Sequence, residues 1–365
     1  MFQDLKNIYH LFQAILANVI YGFPSRRLKV IGVTGTDGKT TTTHLIAHIL
    51  KSSGHKVSYV SSVYAEIGGR QYDTGFHVTT PSPFALQRFL RRSVDNNDEY
   101  FVLETTSHAL DQNRVWGINY EVGVITNITH EHLDYHETFE DYVKTKLKLL
   151  KMAKIGIKNG NKIAKIVGQI PNLTKFNRYN YSAAYMVCKK LGLTEREIMG
   201  AMKTFELPKG RVEVVYDKNF RIIIDFAHTP NALDNLLPEV KKMVKNRGRL
   251  IHVFGSAGLR DASKRPLMGE VSSRYSDYII LTEEDYRTEK PEEICRQIIS
   301  GIKSKSYEVI VNREKAIDKA IKMAKRGDVI VLTGKSHEKS LCRGRIEYPW
   351  SEHNAVDTAI SNIKT

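Results

Sequence analysis

Cysteine is scarce in this chain. The three present, Cys188, Cys295 and Cys342, lie far apart with no metal-type pairing, which excludes a zinc ribbon. No cleavable signal pattern opens the sequence, so the reducing cytoplasm is the expected compartment. No run of eighteen or more uniformly apolar residues occurs, and no conventional transmembrane helix is expected. Internal repeats and low-complexity segments are also missing. Acid is in deficit: 40 Asp and Glu stand against 55 Lys and Arg, a formal charge of +15. That excess points to anionic partners such as nucleotides, nucleic acid, phospholipid or a phosphorylated substrate. Composition is otherwise globular, with 41% hydrophobic and 26% charged residues, and 365 residues leave room for two domains.

The positive charge is concentrated. Lys144 to Lys190 holds twelve Lys and Arg and no Asp or Glu. Such a run is either a solvated basic surface or an electropositive wall beside an anion site. Residues 1–28 stand apart. Ile8, Leu11, Phe12, Ile15, Leu16, Val19 and Ile20 recur at helical spacing as one apolar stripe, ended by Gly22 and Pro24 and followed by Arg26, Arg27 and Lys29. The stripe is expected to dock on its own domain. The sharper reading is an in-plane membrane helix, against which stands a nearly uncharged polar face of His10, Gln13 and Asn18.

Strand-like runs at 29–33, 57–60, 100–103 and 122–126 alternate with helical segments, the pattern of a parallel α/β sheet. Pro208-Lys209-Gly210-Arg211 reads as a linker. A second α/β series follows, with strands near 222–225, 250–254, 278–281 and 329–333. Polar clusters sit at the carboxyl ends of these strands, where open α/β sheets bind ligands.

The sharpest such cluster runs from Gly32 to Thr40, between a strand and a helix. Glycines there let backbone N–H groups surround phosphate oxygens, and the helix N-terminus favours the anion. Gly35, Thr36, Asp37 and Gly38 form the loop, Lys39 reaches the β/γ-phosphates, and the Thr40 hydroxyl is placed for Mg²⁺ with Thr41 beside it. Gly32 and Gly38 are separated by five residues where the strict pattern has four. Glu104 closes the strand Tyr-Phe-Val-Leu-Glu and is either a metal ligand or an exposed strand-end carboxylate.

Six ordered motifs between about residues 29 and 340 resemble the Mur ligases, nearest to the branch that adds the third residue of the peptidoglycan stem peptide. They are Thr34–Thr42; Glu104-Thr105-Thr106-Ser107-His108-Ala109-Leu110; Thr126–His136, which contains His132-Leu133-Asp134-Tyr135-His136; Asp225-Phe226-Ala227-His228-Thr229-Pro230; Arg260–Gly269; and Gly334-Lys335-Ser336-His337-Glu338. After the amphipathic N-terminal helix read at 1–28, the resemblance implies a shortened P-loop ATPase domain with a parallel sheet at 29–208 and a Rossmann-like α/β domain at 211–365. It also implies ATP-dependent amide formation through an acyl phosphate, with two Mg²⁺ ions. Thr40 and Glu104 match one metal position and His132 the second. Lys146 falls where the branch carries a lysine carbamylated by CO₂, although the residues alone read it as one more cation in a basic run. Asn180, Arg211, Asp225 and His228 match nucleotide positions from the two domains; alone, His228 reads as an ordinary strand-end histidine.

Thr79, Thr80, Thr106, Gln112 and Arg114 match positions that hold a muropeptide. Arg260, Gly334 and Glu338 match positions for the incoming amino acid. Glu284-Asp285-Tyr286-Arg287 stands where relatives that select meso-diaminopimelate carry Asp-Asn-Pro-Arg. Arg287 is kept and suits a distal carboxylate. The expected acceptor is a muramyl dipeptide held without a UDP-binding domain, free or lipid-linked. A monomer with small-molecule substrates and no nucleic acid is expected, in the cytoplasm or at the inner face of the membrane. Two other readings compete. A polyglutamate or folate-type ligase is disfavoured by Thr79-Thr80-Pro81, Gln112 and Arg114. A nucleic-acid-binding P-loop ATPase would leave His132, Lys146 and the later motifs unexplained.

Overall fold

The computed structural model describes residues 2–75, 79–129, 131–158, 167–168, 170, 173–245, 247–303 and 306–364. The chain forms two compact units, Met1–Pro208 and Lys209–Thr365. The basic stretch from Lys144 to Lys190 falls partly outside the described residues, so its reading as a wall stays an expectation.

The first unit is built on strands β1 (Lys29–Thr34), β2 (Val57–Val60), β3 (Ala65–Ile67), β4 (Arg70–Tyr72), β5 (Tyr100–Glu104), β6 (Tyr120–Ile125) and β7 (Ala153–Lys158). Their order is β4-β3-β2-β5-β1-β6-β7. The pairings β2–β5, β5–β1, β1–β6 and β6–β7 are parallel, and β3 and β4 add an antiparallel edge. Strand alternation explains the two-sided core: Ile31 and Val33 of β1 enter one cluster, Val30 and Leu28 the opposite one. The chain leaves β1 towards β2 and β5 on one side and later returns to β6 on the other. Reversal of strand order at β1 opens a crevice at its carboxyl end. The loop 35–38 lies there, followed by helix α2 (Lys39–Ser52).

Helix α1 (Phe2–Tyr21) packs along α3 (Pro83–Asp95) through its small and polar side. Ala14, Ala17 and Asn18 are buried, and Asn18 Nδ2 donates to the Trp116 carbonyl at 2.9 Å. The apolar stripe therefore does not dock on its own domain. Ile8, Phe12, Val19 and Ile20 are each about 60% exposed. Small residues win the docked side because they permit close helix approach, and Asn18 satisfies a backbone carbonyl that Leu could not.

In the second unit, strands β8 (Glu213–Asp217), β9 (Arg221–Asp225), β10 (Leu250–Phe254), β11 (Tyr278–Leu281), β12 (Ser306–Val309) and β13 (Val329–Thr333) order as β12-β11-β10-β13-β9-β8. All pairs are parallel except β8–β9. Ile251 and Val253 face one core cluster, Leu250 and Phe254 the other. A hairpin of β14 (Ser340–Arg343) and β15 (Ile346–Pro349) follows β13.

Candidate active site

Gly32 lies inside β1, where a Cβ would come within 2.7 Å of Leu149 and Tyr120. It is a packing glycine, so the loop proper begins at Gly35, with two residues before Gly38. Gly35 and Gly38 both take positive φ, 153° and 79°. A Cβ on Gly35 would lie 1.9 Å from Thr126 Oγ1, and one on Gly38 1.9 Å from Asn180 Oδ1. The loop is thus clamped from β6's end and from the helix Lys175–Lys190 that carries Asn180. Asp37 N donates to Asn127 Oδ1 at 2.9 Å, and Thr126 Oγ1 donates to the Asp37 carbonyl at 2.7 Å. Thr36 Oγ1 lies 3.0 Å from the Tyr142 hydroxyl. Lys39 Nζ folds back on the Thr36 carbonyl at 2.7 Å. Thr41 is buried in the first turn of α2.

Glu104 is buried at the end of β5, next to β1 in the sheet. Its Oε1 accepts from Thr40 Oγ1 at 3.2 Å. Ser62, not singled out in the sequence, joins them: its N–H donates to Glu104 Oε2 at 3.0 Å and its hydroxyl sits 2.8 Å from Thr40 Oγ1. Ser62 follows a strand with no glycine or charge to mark it, so the sequence carried no signal. Hydroxyl and carboxylate oxygens gathered at a phosphate loop are the donor set of a hard divalent cation.

Lys146, on the helix Phe139–Met152, is 1% exposed. Its Nζ donates to the Gly35 carbonyl at 2.7 Å and lies 4.6 Å from the Tyr142 ring centroid. Burial, then the nearby Lys39 charge, push its pKa well below that of an ordinary lysine, while Glu131 and Asp37 pull the other way. His132 takes φ 58°, its Nε2 is 3.7 Å from Glu131 Oε2, and its ring meets that of His108 edge-on at 5.0 Å. Glu131, inside the stretch Thr126–His136, is itself buried. Beside it, burial lowers the pKa of His136 to about 4. Among the described residues no group of three or more His, Cys, Asp and Glu could hold a metal ion. An oxygen donor made from Lys146 would fit the chemistry of the site; an ammonium would not.

On the neighbouring loops, Thr80 Oγ1 donates to the Glu104 carbonyl at 3.0 Å and accepts from Thr106 N at 3.0 Å. Arg114 Nη1 donates to the Thr80 carbonyl at 2.7 Å. Its Nε is buried without a hydrogen-bond partner, and no carboxylate among the described residues pairs with it. Gln112 Nε2 donates to the Tyr135 hydroxyl at 3.3 Å, and Thr79 sits half-buried next to Thr80. Thr80 thus links Arg114 and Thr106 to the backbone of Glu104.

The second unit gathers its own cluster at the ends of β9, β11 and β13. Asp225 accepts from Val212 N and Ala227 N, both at 2.7 Å, and burial raises its pKa although Arg211 opposes this. Arg211 stacks 4.8 Å from the Phe226 ring, and His228 Nδ1 lies 2.8 Å from the Phe226 carbonyl. Gly334, at φ 102°, leaves its face open to Glu284: a Cβ would sit 2.9 Å from Glu284 Oε2, a buried oxygen without a hydrogen-bond partner. Arg287, at φ 51°, uses Nη1 on the Gly258 carbonyl at 2.6 Å. Asp285 accepts from the buried Lys335 Nζ at 2.8 Å and from Cys342 N at 2.9 Å; Lys335 also pairs with Glu338. Arg260 is exposed and hydrogen-bonds nothing among the described residues.

The Mur ligase middle domain matches residues 33–214, and the Mur ligase glutamate ligase domain matches residues 210–336. The chain belongs to the Mur ligases. It is therefore an ATP-dependent ligase with two α/β units. The UDP-N-acetylmuramoyl-L-alanyl-D-glutamate–2,6-diaminopimelate ligase of Aquifex aeolicus is 38% identical over 93% of this chain and 79% of that protein. The corresponding ligase 1 of Clostridium acetobutylicum is 35% identical over 96% and 82%. A solved structure of a ligase of that name matches at 27% identity and TM-score 0.57, covering 93% of this chain and 79% of the other. FolC of E. coli, solved with DHPP and ADP, shares the fold at TM-score 0.73 and 18% identity, over 97% and 94%.

Proposed function

We propose that this Mur ligase joins meso-diaminopimelate to the D-Glu carboxylate of a muramyl dipeptide acceptor in peptidoglycan precursor synthesis. The acceptor carboxylate attacks the γ-phosphorus of ATP, giving an acyl phosphate and ADP. The amine then attacks the acyl carbon, phosphate leaves, and the amine proton is lost to water. The observation that carries the reading is the convergence of loop, Glu104 and Lys146 at the end of β1.

Lys39 neutralises the transferred phosphoryl group once nucleotide draws it off the Thr36 carbonyl. Thr40 and Glu104 would hold one Mg²⁺. His132 and Lys146, the latter as a carbamate, would hold a second. Metal ions there supply charge neutralisation for phosphoryl oxygens. A lysine of depressed pKa suits the modification, because the neutral amine is the form that adds CO₂. Asn180, pressed on Gly38, lies on the nucleotide side of the loop. Arg211, Asp225 and His228 are the second unit's nucleotide residues.

Arg114, a cation with a spare buried donor, suits the acceptor carboxylate, with Thr79, Thr80, Thr106 and Gln112 around it. Arg287 suits the distal carboxylate of the diamino diacid, and the open Glu284 oxygen suits an ammonium. Asp285, Glu338 and Gly334 belong to that same cluster, and exposed Arg260 is a further cation for the amino acid. The enzyme acts in the cytoplasm as a monomer without nucleic acid.

The test is a reaction with ATP, meso-diaminopimelate and UDP-N-acetylmuramoyl-L-Ala-D-Glu. ADP, phosphate and the amide should appear in equal amounts. Lys39→Ala should lose on the order of 10²-fold or more in rate. ATP turnover stimulated by DNA, or by glutamyl acceptors with no muropeptide product, would overturn the assignment.

A further inference from the structure

We infer that the outward face of α1 is a docking surface for an anionic lipid bilayer, with the helix lying in the plane of the interface. Leu5, Ile8, Tyr9, Phe12, Ile15, Leu16, Val19 and Ile20 are all exposed, from 39% to 64%. At 3.6 residues per turn they share one arc of about 140°. No charged residue interrupts it. Soluble surfaces scatter large apolar groups singly; a continuous stripe of this kind marks a contact.

The helix polarity is inverted relative to an ordinary surface helix. Its polar side is the docked one: Gln3 Nε2 donates to the Tyr135 hydroxyl at 2.6 Å and Asn7 Nδ2 to Asp111 at 3.1 Å. Of the uncharged polar residues that argue against a membrane helix in the bare sequence, Asn18 is buried in the protein, while His10 and Gln13 are half-buried and bond within the helix. Cations come from elsewhere. Lys6 edges the arc, exposed Arg26 and Arg27 follow the helix, and α3, packed along α1, carries exposed Arg88 and Arg92.

Charge selects the occupant. Each copy carries +15, so pairing two copies through this face brings like charges together, whereas an anionic bilayer attracts them. Among the described residues no helix is long and apolar enough to cross a membrane, which leaves the in-plane arrangement. Since the inner side of α1 touches Tyr135, which also accepts from Gln112, the acceptor-side loops lie about one helix diameter from the bilayer. That last link rests on the ligase reading; the docking itself does not.

The test uses the full chain with no substrate. Vesicles of phosphatidylglycerol and phosphatidylethanolamine in equal parts are compared with phosphatidylcholine vesicles by co-sedimentation. Wild type should partition onto the anionic vesicles about 10-fold more than the triple variant Ile8→Glu, Phe12→Glu, Val19→Glu, and binding should weaken as salt rises. Circular dichroism checks that the triple variant is folded. If it is not, Phe12→Trp serves alone: its emission should shift to the blue with anionic vesicles only. Absence of wild-type binding at low salt, or equal binding by wild type and a folded triple variant, overturns the inference. So does a dimer by light scattering that the triple variant abolishes while no vesicle binding is seen.

Discussion

Lys146 Nζ donates to the Gly35 carbonyl at 2.7 Å, so the buried lysine and the first residue of the phosphate loop are held as one piece. Burial keeps water from that amine and favours its neutral form, the form that adds CO₂, against the opposing pull of Glu131 and Asp37.

Lys146→Ala should therefore be nearly inactive and should regain part of its rate with added short carboxylates. Wild-type enzyme in ¹³C-labelled bicarbonate should give a carbamate carbon resonance that the variant lacks. A wild-type enzyme at full activity without that resonance would rule out the modification.

In the proposed reaction Arg287 is the residue that would select the amino acid. Arg287→Ala removes one partner of a charge-assisted contact, a loss of about 2–5 kcal/mol in recognition. The KM for meso-diaminopimelate should rise steeply, with less effect on turnover at saturation. Steady-state kinetics with diaminopimelate and lysine checks this; a wild-type preference for lysine contradicts it.

The central strands were legible in the sequence because they are parallel and buried on both faces. Ile251, Val253 and Ile330 belong to apolar runs with one plausible structure. The loop and Glu104 were legible for a related reason, since glycines and a carboxylate at strand ends have few structural uses. Orientation was not legible. The periodicity of α1 showed a stripe but not which side the domain would take, and Ala14, Ala17 and Asn18 decided that through close packing. Residues that act through a neighbour escaped as well. Ser62 has ordinary local sequence and only the fold brings it to Glu104, as only the fold brings Lys335 to Asp285, fifty residues away.

The second unit contains a fully buried ion pair, Arg313 with Glu352, and Arg313 also donates to the Thr333 carbonyl at 2.8 Å. Glu352→Ala leaves the guanidinium buried without its carboxylate and should cost about 3–5 kcal/mol. Urea unfolding should show the loss. Replacing both residues by Met and Leu should recover part of it, because no stranded charge remains.

His252 is buried between Ser272 Oγ at 2.8 Å and Thr333 Oγ1 at 3.0 Å, and burial lowers its pKa to about 3. The unfolded chain takes up this proton near pH 6.5 while the folded one does not. Stability is thus fully present above 6.5 and is lost as pH falls towards 3. Between pH 6.5 and 4.5 the contribution lost is roughly 2–3 kcal/mol. Urea midpoints for wild type and His252→Asn should converge over that range; parallel curves would contradict the assignment.

Gly35 lies against Thr126, Gly38 lies against Asn180, and Thr36 meets Tyr142, so three distant stretches of chain hold four residues of loop. The loop is therefore not a portable cassette. Grafting Thr34–Thr42 into another α/β scaffold would transfer the glycines without the walls that set their conformation. A transplant that retained nucleotide affinity would have to carry the ends of β6 and the helices of Tyr142, Lys146 and Asn180 with it, which is most of the unit.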